Sequence, residues 1–246
     1  MSRMPELHGE HLWLRELRAT DFGPFERIHT HRVLTRYLGV ERMDAAQAQD
    51  SFAQHLAQPY VLPRRKHTLA VCPPGLDVMV GTMGLLVEEY GRNAMLTSLV
   101  LLPDAPVRGH GHEAGRLLMA YGFGHLGLHR IWAGHRADHT RMRQVMLAAG
   151  LHPESTLREL FHTQGHWHDV TTYAALAPAW IRQATPAERA ILHDVGPAVP
   201  AAGSDTRTPA AHTTAAGQPN RPPSSSCGPA IPTGRQGRAA PNSSYL

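Results

Sequence analysis

Apolar residues along the first 180 positions switch between two spacings. Alternation around Leu12 and Leu14 indicates a strand, whereas Phe22, Phe25 and Ile28 recur at helical spacing. The same reading along the chain predicts the order β-α-α-β-β-β-α-β-α-β-β, with a last hairpin around Gly165. Strands that cluster in the middle and then alternate with helices are typical of an α+β (mixed α/β) fold rather than a doubly wound nucleotide fold.

The composition changes near Trp180, and beyond about Gly196 the chain consists mainly of Pro, Ala, Gly, Ser and Thr. Such a segment buries too little apolar surface to offset its chain entropy. We therefore expect a folded domain over residues 1–182 and a disordered tail over residues 183–246. Thr185 and Pro186 carry a helix-start signal, which predicts one short helix near residues 185–194.

Composition and charge exclude several classes of protein. No stretch approaches the roughly 20 apolar residues of a membrane span, and the first residues contain no apolar signal region. Cys72 and Cys227 lie too far apart in sequence to suggest a metal pair or a disulfide framework. The net charge of +4 comes without a Lys/Arg block, which argues against a nucleic-acid partner. We expect a cytoplasmic protein with no membrane partner.

A glycine-containing turn joins an apolar strand to an amphipathic helix and carries the strongest chemical signal. After Pro103 come Arg108, Gly109 and Gly111, and then the helix. The first N–H groups of a helix lack intrahelical partners, and together with the helix dipole they attract anions. Position 114 is Ala, so the dinucleotide fingerprint is incomplete, and no P-loop Gly-Lys follows. Taken alone, this turn is better explained as a simple strand-to-helix connection with no ligand.

Its context, however, resembles the acyl-CoA loop of the GNAT superfamily, written Gln/Arg-x-x-Gly-x-Gly/Ala. The two glycines match at Gly109 and Gly111, and the first position does not. The following Glu-Ala, and the run Tyr-x-Phe-x-x-Leu-Gly-Leu-x-Arg-Ile at residues 121–131, resemble the RimJ/RimL-like branch. Further similar segments, including Gly-Thr-x-Gly-Leu at residues 81–85, extend the resemblance over roughly residues 7–180.

This resemblance implies a GNAT fold, with a central, mostly antiparallel twisted sheet, flanking helices and splayed middle strands. It implies acetyl-CoA as co-substrate, with a pantetheine arm that bonds to backbone like an extra strand. It places the cofactor contacts at the backbones of Leu99, Val100 and Leu101, and the pyrophosphate at Val107, Arg108, Gly109, His110, Gly111 and His112.

The catalytic residues of the branch are not matched. Leu96 stands where a Glu is frequent, His139 and Met142 stand in place of Asn and Ser, and Met146 falls where other branches have a donor Tyr. His139 and Ser98 are the remaining candidates. A helix-start histidine and a strand serine also have purely structural explanations, which leaves the catalytic residues open.

A histidine-rich segment near the C-terminal strands suggests a zinc site, because imidazole and carboxylate are zinc ligands. It comprises His162, His166, His168 and Asp169. These residues lie on a predicted hairpin that the resemblance explains as structural, so we expect no metal.

We therefore expect an N-acyltransferase that moves an acetyl group from acetyl-CoA directly to a primary amine. The acceptor is a protein N-terminus or a small molecule. The sequence leaves open whether the protein forms a homodimer. The alternative is a degenerate domain that binds acyl-CoA without turnover, motivated by Leu96, His139, Met142 and Met146. A weaker alternative, nucleic-acid binding, rests on the basic charge alone.

Overall fold

The computed structural model describes residues 4–37 and 41–193. Strands β1 to β8 occupy Leu7–His8, Trp13–Glu16, Lys66–Cys72, Gly81–Val87, Asn93–Leu101, Arg130–Arg136, His152–Thr163 and His166–Leu176. They form one eight-stranded sheet in the order β1-β2-β3-β4-β5-β6-β8-β7. Neighbouring strands are antiparallel except for β5 and β6, which pair in parallel. The predicted α+β class with a mixed, mostly antiparallel sheet is confirmed.

Helices α1 to α6 occupy Phe22–Thr30, Ala45–Ala57, Gly111–Gly124, Thr140–Ala148, Ala177–Arg182 and Pro186–His193. The short strand β1 and helix α5 were not predicted. Asp44 is the N-cap of helix α2, and its carboxylate accepts from the Gln47 N–H at 2.8 Å in a capping box. Among the helices that the structure describes, none is both long and apolar enough to cross a membrane.

Helix α3 is the central helix, and its middle is buried on nearly all sides. Leu117, Leu118 and Met119 are almost completely buried, and α3 contacts β4, β5 and β6 as well as α4 and α6. A Cβ at Gly122 would lie 2.8 Å from the Ile131 side chain, so the absence of a side chain there lets α3 approach the sheet closely. This packing fixes the N-terminus of α3 relative to the ends of β5 and β6.

The predicted hairpin around Gly165 is present between β7 and β8. Gln164 and Gly165 have φ angles of 50° and 78°, as the two central residues of a type I′ turn require. Strand β8 continues the sheet beside β6, from Arg130↔Leu176 to Arg136↔Val170. The hairpin therefore flanks β6 along its whole length.

Helices α5 and α6 follow the last strand. The domain boundary expected at residue 182 falls between them, yet α6 packs against α3. Glu188 is 3% exposed and accepts from the Arg116 guanidinium at 2.5 and 2.7 Å. Ile191 and Leu192 are buried too. Packed structure thus reaches His193, and the rest of the expected tail, residues 194–246, lies outside the described residues.

Candidate active site

Strands β5 and β6 separate after a short stretch of pairing. Their parallel ladder covers only Asn93–Met95 against Arg130–Trp132 in register, although β5 continues to Leu101 and β6 to Arg136. A cavity of about 670 Å³ opens where the strands diverge, with the first residues of α3 and one side of α4 along its walls. This is the predicted splay of the middle strands, and it creates a concave site at the centre of the sheet.

A β-bulge bends β5 at the start of this gap. Pairing with β4 jumps from Thr82↔Val100 to Gly84↔Thr97, which leaves an extra residue on β5. Ser98 has a φ of 54°, unusual for a residue other than glycine, and its carbonyl accepts from Thr82 Oγ1 at 3.0 Å. Bulges of this kind are frequent beside active sites, where they redirect a strand. Ser98 itself lines the cavity.

The backbone beyond the bulge presents an unpaired edge to the gap. The Leu102 N–H donates to the Val80 carbonyl at 2.8 Å, so it points toward β4. Because backbone groups alternate sides along a strand, those of Val100 also face β4, and those of Leu99 and Leu101 face the cavity. Of the three expected backbone contacts, the geometry therefore leaves Leu99 and Leu101 available and engages Val100 in the sheet.

The glycine turn lies at the other end of the same cavity. Gly109 has a φ of 98°, a backbone conformation that glycine alone adopts readily. Gly111 is different, because the atom nearest to a Cβ there would be Leu99 Cδ2 at 3.6 Å, an ordinary contact. The fold requires glycine at position 109, whereas contacts within the protein do not require it at position 111. A close-lying ligand would supply the missing reason for Gly111.

The expected pyrophosphate residues divide into two groups. Arg108, Gly109, Gly111 and His112 line the cavity. The Val107 side chain is 2% exposed and belongs to the core. His110, the N-cap of α3, makes no side-chain cap bond and stacks on His11 with ring centroids 4.0 Å apart. The side chains at positions 107 and 110 therefore serve the fold of the turn, and only their backbones remain candidates for a ligand.

Arginine side chains add positive charge to the cavity wall. Arg108 is exposed and donates to the Pro103 carbonyl at 2.9 Å, which holds its side chain along the turn. Arg141, in the first turn of α4, is exposed and also lines the cavity. Arg141 was not a candidate from the sequence, since nothing in the pattern showed that α4 would line the same cavity as the glycine turn.

His139 is the N-cap of α4. Its Nδ1 accepts from the Met142 N–H at 3.0 Å, so the neutral ring carries its proton on Nε2. Burial lowers the pKa of His139 below its ordinary value, which favours this neutral ring. With Nδ1 engaged and Nε2 protonated, His139 has no free lone pair with which to accept a proton. It lines the cavity as a capping residue.

His135 was missed by the sequence analysis. It lies near the end of β6, lines the cavity, and is 9% exposed. The inward alternation of Ile131, Ala133 and His135 along β6 was the available signal. The family resemblance points to positions 96, 139, 142 and 146 and gives no signal at position 135.

The positions where the branch's usual catalytic groups are replaced also meet in this cavity. Leu96, Met142 and Met146 all line it, and Leu96 and Met146 are both 7% exposed. They make this part of the wall apolar.

Residues of the types that bind metals occur in two places, the histidine-rich hairpin and a second cluster of histidines. His162 pairs with Trp167 across the hairpin, and Phe161 pairs with His168. Within the described part of the chain, the group with closely spaced ligand atoms is instead His11, His110 and Glu113. There Glu113 accepts from the N–H groups of Glu10 and His11 at 2.5 and 3.1 Å, which ties the β1–β2 turn to α3. These hydrogen bonds give the cluster a structural role in the fold.

Comparison with known proteins agrees with this geometry. The acetyltransferase (GNAT) domain family matches residues 11–152, more than half of the chain. The uncharacterized N-acetyltransferase YoaA of Bacillus subtilis (strain 168) is 25% identical over 176 residues, which cover 71% of this chain and 98% of YoaA. The chain therefore belongs to the GNAT acetyltransferase family.

Solved structures show the same fold at low identity. Spermidine N-acetyltransferase from Vibrio cholerae, in complex with CoA and spermine, has a TM-score of 0.61 at 18% identity, over 69% of this chain and 98% of that one. Mycobacterium smegmatis RimJ in complex with CoA-disulfide has a TM-score of 0.59 at 21% identity, over 72% and 86%. These likenesses concern the fold, and the RimJ/RimL branch stays a proposal.

Proposed function

We propose that this protein transfers an acetyl group from acetyl-CoA to a primary amine, on a protein N-terminus or a small molecule, as a member of the RimJ/RimL-like branch. The observation that carries the proposal is one cavity that joins the unpaired edge at Leu99 and Leu101 to the first turn of α3. A thioester with a long amide-containing arm and a pyrophosphate needs these two features side by side.

In this proposal the pyrophosphate lies on the N–H groups at the start of α3, beside Gly111, where the helix dipole also favours an anion. Arg108 and Arg141 supply the neutralising charge. The pantetheine amides then bond to the free groups of Leu101 and Leu99, as an added strand would. This direction brings the thioester toward the bulge at Ser98.

The reaction is a direct attack. The amine nitrogen bonds to the thioester carbonyl carbon, and the C–S bond breaks. Two protons leave the ammonium form of the acceptor: one goes to a base, and the other goes to the departing thiolate to give CoA. Holding both reactants in one cavity lowers the entropic part of the barrier. A backbone N–H at the bulge end of this unpaired edge would stabilise the developing oxyanion.

The cavity wall also bears on the acceptor. Its charged side chains in the described part of the chain are Arg108, Arg136 and Arg141, together with histidines, and no carboxylate lines it. A polyamine, such as the spermine bound to the Vibrio cholerae structure, carries several positive charges and would be repelled by this lining. The proposed acceptor is therefore a monoamine or a peptide N-terminus.

The first test is a calorimetric titration of the full chain with acetyl-CoA. Gly111→Val places a side chain against the proposed pyrophosphate without violating the backbone conformation, and we expect at least a tenfold loss of affinity. Gly23→Ala, in α1 with open space around it, is the matched control. Thermal unfolding of both variants establishes that they fold.

Turnover is the second measurement, followed as thiol release with a panel of monoamines, polyamines and peptides. No binding by the folded wild type would overturn the proposal. Binding without release of thiol from any amine would favour the alternative of a non-catalytic acyl-CoA module, which the similarity to acetyltransferases does not support.

A further inference from the structure

His135 occupies an unusual position for a buried histidine. It lies on β6 beyond the point where β6 leaves β5, at the wall of the cavity. Its Nε2 is buried and has no hydrogen-bond partner among the described residues. A buried polar atom without a partner is costly, and one at a ligand cavity is a position that substrate, or a water bound to substrate, can satisfy.

The other ring nitrogen fixes the tautomer. Nδ1 of His135 lies 2.8 Å from the Arg136 carbonyl oxygen. Because a carbonyl oxygen only accepts, Nδ1 must carry the proton, and the neutral ring therefore keeps its lone pair on Nε2. The unpartnered atom is thus the one that can accept a proton.

Neighbouring rings hold the imidazole in place. Tyr173 on β8, almost completely buried, stacks on it with centroids 5.1 Å apart and an interplanar angle of 21°. The His139 ring stands edge-on at 6.4 Å. These contacts and the Nδ1 bond restrict both torsions of the side chain, as a proton acceptor in a fixed geometry requires.

We propose that Nε2 of His135 is the general base of the reaction. This proposal rests on the proposed transfer of acetyl groups to amines. Nε2 takes one proton from the acceptor's ammonium group and thereby frees the lone pair that attacks the thioester carbon. The C–S bond then breaks, and the second amine proton goes to the sulfur. The imidazolium returns its proton to solvent after the product leaves.

The electrostatic surroundings suit this role. Burial lowers the pKa of His135, and so does Arg143 on α4, whereas the Arg136 carbonyl and Asp138 act in the opposite direction. His139 and Tyr173 are the other titratable groups that pack against the ring. The net lowering keeps Nε2 unprotonated at neutral pH. His139 cannot substitute for it, because its own free nitrogen carries a proton in the capping tautomer.

The test compares His135→Gln with His139→Asn in the full-length protein. Glutamine keeps a donor toward the Arg136 carbonyl, and asparagine keeps a helix cap. For each variant we would measure acetyl-CoA affinity by calorimetry and kcat/KM for the best amine as a function of pH. His8→Gln, at an exposed position on β1, serves as the unaffected control.

We expect His135→Gln to bind acetyl-CoA as the wild type does, to lose about a hundredfold or more in kcat, and to lose the acidic limb of the pH profile. Imidazole should partly restore turnover in His135→Ala. An active wild type whose acidic limb survives in His135→Gln, or disappears in His139→Asn instead, would overturn the assignment of the base while leaving the acetyltransferase proposal intact. A wild-type protein that is inactive with every amine would overturn both the assignment of the base and the acetyltransferase proposal.

Discussion

At the scale of single residues, a buried ion pair anchors the start of the domain. Arg15 on β2 is 2% exposed, and its guanidinium contacts the Asp21 carboxylate at 2.7 and 2.9 Å. Asp21 also accepts from the Arg18 N–H at 2.8 Å. The outer side of Arg15 meets Asp77, whose side chain is half exposed. One guanidinium thus joins a buried carboxylate and a solvated one.

This arrangement predicts a large difference between two conservative substitutions. Asp21→Asn would leave a buried guanidinium without its main counter-charge, and we expect it to lower the free energy of unfolding by about 3–5 kcal/mol. Asp77→Asn should have a much smaller effect, because water can replace its contact. Urea unfolding of the two variants measures the difference, and equal losses would contradict the assigned role of Asp21.

At the scale of elements, α6 completes the packing around α3. A Cβ on Gly124 would lie 2.9 Å from the Leu192 Cα, which shows how closely the backbones approach. Arg116 on α3 is held between Glu188 and the Trp180 ring, with its guanidinium carbon 4.9 Å from the ring centroid. Trp180 in turn donates to the Ala149 carbonyl at 3.0 Å. Helix α6 therefore stabilises the helix that presents the glycine turn.

Two shortened chains test this dependence. A chain that ends at residue 193 keeps α6, and we expect its melting temperature to match that of the full chain. A chain that ends at residue 182 loses the burial of Ile191 and Leu192 and the partner of Arg116. We expect a loss of about 3 kcal/mol, or a fall of roughly 6–12 °C in Tm. Identical melting curves for the two chains would place the domain boundary at residue 182 after all.

At the scale of the whole molecule, apolar runs separated by Gly, Pro and polar residues sufficed to order the longer elements, whereas the short strand β1 and helix α5 carry too few residues for a pattern. Residues close together in sequence also set the type I′ turn at Gln164 and Gly165 and the capping box at Asp44, so both positions could be predicted. The glycine turn was found because its motif is contiguous in sequence, as are the strand residues Leu99 to Leu101.

The remaining features depend on contacts between distant segments. His135 and Arg141 reach the cavity only because β6 diverges from β5 and α4 starts beside the gap. The engagement of Val100 with β4 depends on a register that the bulge at Ser98 sets. A sequence pattern shows which residues face inward, but it does not show which inward faces enclose a cavity.

The buried histidines give the whole molecule an acid sensitivity with a definite sign. His67 is 3% exposed, and neither of its ring nitrogens has a hydrogen-bond partner in the described structure. Burial lowers the pKa of His67 from 6.5 to about 4, and burial likewise lowers the pKa of His55 to about 4. The unfolded chain therefore takes up protons at a pH where the folded protein does not.

The free energy of unfolding is therefore highest above about pH 6.5 and declines as the pH falls toward about 4. Each of the two histidines contributes a loss of about 1.4 kcal/mol for every unit by which folding lowers its pKa. Most of this window lies above the range in which carboxylates titrate, so the histidines dominate it. His67→Leu fills this place in the core with an apolar side chain and removes the two unpartnered nitrogens. We expect the decline to become shallower in this variant. Urea unfolding of the wild type and the variant across this range measures the slope, and parallel curves would show that His67 is not a source of the acid sensitivity.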